Sequence, residues 1–310
     1  MYKIKQRPED FIVEEIIELD SKPGPYFYIK LTKKQWNTLD VVKILQERLH
    51  LKRSQIGYAG LKDKQGITTQ YFSLFRVKKE KIYSLKIKDI TIETLHYGSK
   101  PIVLGALKAN KFKIKLNEKP IKISFIENYF GKQRFSKNNI EIGRALINHD
   151  FKKAITLINN HESNSPINEL RKIDKHLLLL YISAYQSYLW NLVVSDYLKK
   201  QDSISYNNLT FLEKEPENMQ IPIISFDIEF KNKEIEKIYN KFLKIEKITK
   251  ENFIIKSLPE LISLSKEREL IVKINDFKIR KNVIEFTISK GSYATVVIEK
   301  MNALTHTKNI

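Results

Sequence analysis

Residues 57–70 read GYAGLKDKQGITTQ, with one carboxylate, Asp63, between Lys62 and Lys64 in a segment bracketed by Gly60 and Gly66. Upstream, Val41, Ile44, Leu45 and Leu49 recur at helical spacing behind Asn37 and Thr38, either of which can cap a helix start. Downstream, residues 69–77 (TQYFSLFRV) have the aromatic and β-branched composition of a strand. Asp63 is therefore expected on a loop or strand end between a helix and a strand, where a rigid scaffold can hold a reactive group. The same residues also describe an ordinary solvated turn. Local composition leaves both readings open.

Charge is the outlying bulk property. Fifty-five Lys and Arg against 36 Asp and Glu give a net charge of +19, which points to a polyanion partner. The basic residues run along the whole chain rather than in one tail, as on a folded surface that follows a phosphate backbone. A composition rich in Lys, Asn and Ile raises the isoelectric point in the same way without serving a partner. With 310 residues, 42% of them hydrophobic, one large or two moderate domains are expected, at about 150 residues per domain. The absence of cysteine excludes disulfides, thiolate zinc sites and a cysteine nucleophile. The six histidines show no zinc-motif spacing, so a metal site is not expected. The longest apolar run, residues 177–182, is far shorter than the ~20 residues of a membrane span. The N-terminus shows no signal-peptide core. A soluble, cytoplasmic protein is expected, with no membrane association and no obligatory protein partner.

Alternating patterns over 11–17, 26–31, 70–77, 90–95 and 111–116 predict strands. In the last, Phe112, Ile114 and Leu116 face one side, and Lys111, Lys113 and Lys115 the other. Helical patterns follow over 140–159 and 177–200, the second nearly apolar all round and so expected inside a domain. Residues 161–168 and 203–218 read as loops. Alternation returns over 270–274 and 283–288, and 293–298 fits either strand or helix. Strand-rich ends around a helical middle predict a discontinuous sheet domain, 1–126 with 268–310, carrying an inserted domain, 127–267.

Five ordered segments together resemble the TruD family of tRNA pseudouridine synthases across nearly the full chain. KIKQRPEDFIVEE (3–15) resembles the family's opening lysine, Pro-Glu-Asp-Phe and Val-x-Glu; GLKDKQGITTQ (60–70) its Gly-x-Lys-Asp with a following Thr-x-Gln. LGALKANKFKI (104–114) is similar to Leu-Gly-x-x-x-Gly-Asn-x-Phe, and NYFGKQRFS (128–136) to Asn-Tyr-Phe-Gly-x-Gln-Arg-Phe-Gly. KGSYATVVIEKM (290–301) resembles the closing Gly-Ser-Phe/Tyr-Ala-Thr segment. Ala109 and Ser136 depart from the family's glycines.

The resemblance implies an α+β fold: a pseudouridine-synthase-type mixed, mainly antiparallel sheet in the discontinuous catalytic domain, with an inserted α/β TRUD-type domain. It implies isomerisation of a uridine in tRNA, at position 13 of the D stem, with Asp63 as the catalytic carboxylate and no metal or cofactor. Lys5 stands at the family's N-terminal lysine, where it would partner the acid; a solvent-facing edge-strand lysine is the competing reading. Lys62 adds positive potential. An extruded base needs aromatic faces and polar contacts, which assigns Phe112 and Tyr293 to stacking, Asn110 to a hydrogen bond and Phe11 to the pocket wall, against ordinary core packing for each aromatic. Arg134 would meet RNA phosphate or buttress the cleft, against a surface ion pair.

Other classes fit less well. No glycine-rich nucleotide loop suits a methyltransferase, and paired metal-binding carboxylates for a nuclease are not evident. A non-catalytic tRNA-binding or RNA-folding protein stays open on the sequence.

Overall fold

The computed structural model describes residues 1–4, 6–62, 64–136 and 138–306. First come β1 (Phe11–Ile16), β2 (Tyr26–Lys34), α1 (Thr38–Leu49), β3 (Ile56–Tyr58), β4 (Ile67–Phe75), α2 (Lys79–Tyr83), β5 (Ile90–Gly98) and β6 (Ala109–Lys115). Next are β7 (Phe125–Glu127), α3 (Asn139–Ile147), α4 (Phe151–Asn159), α5 (Pro166–Leu170) and α6 (Lys175–Leu198). These lead to β8 (Ser203–Tyr206), β9 (Leu209–Leu212), β10 (Gln220–Ile223) and α7 (Lys233–Glu246). The last elements are β11 (Lys266–Glu269), β12 (Ile271–Lys273), β13 (Asn275–Arg280), β14 (Val283–Ser289) and α8 (Ala294–His306).

The chain divides into two compact units, Met1–Ser124 with Lys273–Gly291, and Phe125–Val272 with the chain from Ser292 on. The sequence placed everything from 268 onward with the first unit. In the structure residues 268–272 group with the second unit, where β11 pairs with β10, and so does α8, whose Lys300 ammonium is buried against Glu127 of β7, 3.0 Å away. A pairing of that kind cannot be read from hydropathy.

The first unit is an eight-stranded sheet in the order β13-β14-β6-β1-β4-β2-β5, with β3 added on β4. β1 and β4 run parallel, and the other described pairs of this sheet are antiparallel. On β6 the expected alternation holds, with Asn110, Phe112 and Ile114 buried and Lys111, Lys113 and Lys115 exposed. α1 lays Val41, Val42, Leu45 and Leu49 over Phe27, Ile29, Leu31, Phe72 and Leu74. Neither expected cap caps this helix through its side chain. Asn37, the N-cap residue, donates to Asp40 at 3.1 Å, and the Thr38 hydroxyl is drawn into the sheet.

The second unit packs around α6, where Tyr185, Leu189, Trp190, Val193 and Val194 are fully buried. Among the described residues α6 is the one helix long and apolar enough to cross a membrane, and 61% of that stretch is buried inside the protein. It is a core helix, as its unbroken apolar composition predicts. The helical pattern over 140–159 is split into α3 and α4 by His149 at φ 59. The expected loop over 203–218 begins instead with the hairpin β8–β9, turned by Asn207 and Asn208 at φ 49 and 64. Two left-handed asparagines are a hairpin turn signal. Residues 293–298 lie largely in α8.

The Glu127–Lys300 pair anchors this unit. Glu127 also accepts from the Leu212 amide at 2.8 Å, and the ammonium sits 3.2 Å from the Phe125 ring centroid. Burial pushes the Glu127 carboxyl up and pulls the Lys300 ammonium down to about 8. Removing one partner strands the other charge. Lys300→Met should therefore destabilise the protein by about 3–5 kcal/mol in urea unfolding, while Glu127→Leu combined with Lys300→Met should recover most of the loss. A double variant as unstable as the single one would contradict this account.

Candidate functional site

One face of the first unit's sheet carries buried polar groups where an apolar core is the default. Cross-strand register sets Lys33, Thr68, Val13, Phe112 and Phe286 in one row. Glu15 and Asn110 pair in the adjacent row, flanked by Ile288 on β14. Side chains two residues apart on a strand share a face, so Gln70 joins this row beside Leu31, its partner on β2. Glu15, Lys33, Thr68, Gln70 and Asn110 are all buried.

These groups hold the chain that leads into Asp63. The Lys62 ammonium pairs with Glu15 at 2.8 Å, with the carboxylate wholly buried and the lysine 11% exposed. The Gln70 amide donates to the Gly60 carbonyl at 2.8 Å and to Glu15 at 3.4 Å. Its own oxygen accepts from the Thr38 hydroxyl at 2.8 Å, and that hydroxyl accepts from the Lys62 amide at 2.9 Å. The Tyr71 amide donates to the second Glu15 oxygen, and the Lys33 ammonium reaches the carbonyls of Trp36 and Lys62. Residues 60–62 are thus fixed by side chains from β1, β2, β4 and α1. Beyond Asp63, Gly66 takes φ +144, and a Cβ there would lie 2.6 Å from the Phe11 carbonyl oxygen. The glycine is required by both the conformation and the close approach.

Asp63 and Lys5 lie outside the described residues. Of the other expected site residues, Phe11, Lys62, Asn110 and Phe112 belong to this unit. The Phe112 ring is buried, stacked on Phe286 at 5.3 Å and met edge-on by Phe11 at 6.0 Å. Asn110 Oδ1 and Thr68 Oγ1 are buried with no hydrogen-bond partner, and an unmet buried acceptor costs roughly 1–3 kcal/mol. Arg134 and Tyr293 belong to the second unit. Arg134 donates to the Ser183 hydroxyl at 2.8 Å, while its Nε is buried without a partner. Tyr293 lies 6.3 Å from the Phe130 ring and close to Gly131, where a Cβ would meet its ring at 2.8 Å. Near them Arg268 stacks on Phe130 at 4.0 Å and donates to the Asn128 carbonyl at 2.8 Å. Burial pulls its guanidinium down to about 10, so it remains charged at neutral pH.

Sequence reading gave no site role to Glu15, Lys33, Thr38, Thr68 or Gln70, although Glu15 closes the Val-x-Glu motif and Thr68 and Gln70 bound the Thr-x-Gln motif. For Glu15 a signal was present: it stands at the buried parity of Phe11 and Val13 on β1. Among the described residues no cluster of three or more His, Asp or Glu is arranged to hold a metal ion.

The model of the family described as tRNA pseudouridine synthase D (TruD) matches residues 2–166 and 205–301. The chain belongs to this family of tRNA pseudouridine synthases. A relative, tRNA pseudouridine synthase D of Aquifex aeolicus, is 27% identical over 96% of this chain and 97% of its own. Another, from Methanocaldococcus jannaschii and assigned as tRNA pseudouridine synthase D 2, is 29% identical over 96% of this chain and 91% of its own. A crystal structure assigned as TruD from Methanosarcina mazei shares the fold, with a TM-score of 0.67 at 23% identity over 97% of this chain and 93% of that one. The expected α+β class with a mainly antiparallel sheet is therefore the fold of this protein. In this TruD-family chain the Glu15–Lys62 pair should be a strong local determinant. Glu15→Ala leaves the lysine unpaired at a site 11% exposed and should cost about 3–5 kcal/mol in thermal or urea unfolding. Glu15→Gln, which keeps an acceptor, should cost less. Equal losses would mean that the charge alone, and not the retained acceptor, accounts for the pair.

Proposed function

We propose that this protein isomerises a uridine of tRNA to pseudouridine, at position 13 of the D stem, with Asp63 as the catalytic carboxylate. The reaction breaks the N-glycosidic bond and rejoins the uracil through C5, with atoms conserved and no redox change. The observation that carries the reading is the side-chain scaffold fixing residues 60–62, the chain immediately before Asp63, on a sheet of a TruD-family protein. Such fixation costs stability, because it buries a carboxylate and an ammonium that an apolar pair could replace. A site that must hold a reacting group in position gives that cost a use.

The network that holds residues 60–62 adds no uncompensated negative charge. Two neighbouring carboxylates would force a proton onto one of them. Here Glu15 is neutralised by Lys62, so its charge does not oppose a second carboxylate. Lys5, at the family's lysine position, would partner Asp63. The unmet Asn110 oxygen supports a hydrogen bond to the imide N–H of an extruded uracil. Thr68 Oγ1, also unmet, would serve the same nucleotide. Phe112 shares the Thr68 row and Phe11 packs against it. This suits them to wall the nucleotide, with Phe112 the stacking face. In the second unit, the unpaired Nε of Arg134 favours a phosphate contact, and Tyr293 beside Gly131 is assigned as a second stacking surface. The boundaries of a catalytic domain and a TRUD-type domain would follow the two units. A cytoplasmic location goes with a tRNA substrate.

Chemical mapping of pseudouridine in a tRNA transcript separates this enzyme from a protein that only binds RNA. Asp63→Asn should abolish the mark while keeping tRNA affinity within a few-fold of wild type. A mark of equal yield from Asp63→Asn would remove Asp63 from the mechanism. The net charge of +19 makes phosphate contacts the main source of affinity. With several such contacts, tRNA binding should weaken by about tenfold or more between 50 and 200 mM salt. An affinity unchanged over that interval would refute the basic-surface reading.

A further inference from the structure

The first unit has an open cleft of about 600 Å³ lined by Gln6, Arg7, Pro8, Gln35, Lys64, Gln65 and Gly66. Its volume lies within the roughly 300–1,000 Å³ of ligand clefts. Three segments meet there: the chain before β1, the β2–α1 connection and the residues just after Asp63. Gln6, Arg7, Gln35, Lys64 and Gln65 are exposed. The described lining thus combines two cations with three primary amides and contains no carboxylate.

The conformation of Gln35 is informative. It takes φ +59, a left-handed backbone that favours glycine or asparagine over a longer side chain. Its amide N–H donates to the Gly66 carbonyl at 3.5 Å, which ties the β2–α1 connection to the rim beyond Asp63. A glutamine at this position sets an amide side chain at the mouth of the cleft. Cations recognise phosphate without regard to sequence. Amides, with donor and acceptor side by side, read base edges.

We infer that this cleft receives the nucleotides flanking the isomerised uridine, with Arg7 and Lys64 on phosphates and Gln6, Gln35 and Gln65 on base edges. The inference rests on the reading of Asp63 as the catalytic acid. The three glutamines then decide which uridine is presented to that acid, a role distinct from catalysis and from overall affinity.

The test uses the full-length protein and tRNA transcripts in which each base next to the target uridine is replaced in turn. For wild type, kcat/KM for pseudouridine formation and the binding constant from filter binding should differ by about tenfold or more between the best and worst flanking base. Gln65→Ala and Gln35→Gly should compress that ratio to about twofold. The glycine variant also suits the left-handed backbone, so a folding defect is not its expected effect. Arg7→Gln and Lys64→Gln should instead weaken binding of all transcripts alike and lower the salt dependence, by about one unit of slope for each phosphate left without its cation. A flanking-base ratio unchanged in the glutamine variants, or a wild type indifferent to flanking bases, overturns the inference. Absence of pseudouridine from every transcript would sink the proposed function instead, and the binding ratios would still decide the role of the glutamines.

Discussion

The buried ion pair between Glu15 and Lys62 is the constraint on which the first unit's polar face depends. Glu15 sits within a strand at a position that alternation reserves for the core, and a lone carboxylate there would be prohibitively costly. Lys62 supplies the counter-charge from the loop, and the Tyr71 amide and Gln70 side chain meet the carboxylate's remaining acceptors. The loop cannot move without stranding a charge. Rigidity at residues 60–62 follows from electrostatics rather than from a hydrophobic clamp.

The single parallel pair among the described strands of this sheet, β1 with β4, brings the site residues together. β1 lies between β6 and β4, so Glu15 touches both the Asn110 row and Gln70. Thr38 enters the same network from the start of α1, which explains why its hydroxyl is not spent on capping. A helix terminus, three strands and a loop therefore share one set of hydrogen bonds. Aromatic packing of Phe11, Phe112 and Phe286 continues the same face on its apolar side. The second unit uses a similar device: Glu127 and Lys300 tie its first strand to its last helix.

Much of this was legible in the chain. The alternation of residues 111–116 gave the buried and cationic faces of β6 because side-chain period on a strand is a local property. The apolar run over 177–200 gave α6 as a core helix for the same kind of reason, and the ordered motifs gave the family. The hairpin β8–β9 was missed because each of its strands is only four residues long, too short for alternation to stand out, although Asn207-Asn208 marked its turn. The break between α3 and α4 was missed although Asn148-His149-Asp150 carried a signal, since histidine is enriched in the left-handed region and Asp150 caps α4 through its side chain.

The sequence by itself determined the class of fold, the net charge of +19, the family and the residue types available for chemistry, since each depends on composition or on neighbours along the chain. Only the tertiary structure decided that Glu15, Lys62, Thr38 and Gln70 form one network, that Asn110 and Thr68 hold unmet buried oxygens, and that Gln6, Gln35 and Gln65 line one cleft. It also decided that α8 belongs with β7 rather than with the strands that precede it. These are contacts between residues tens to more than a hundred positions apart. Their energies depend on burial and geometry that exist only once the chain has folded.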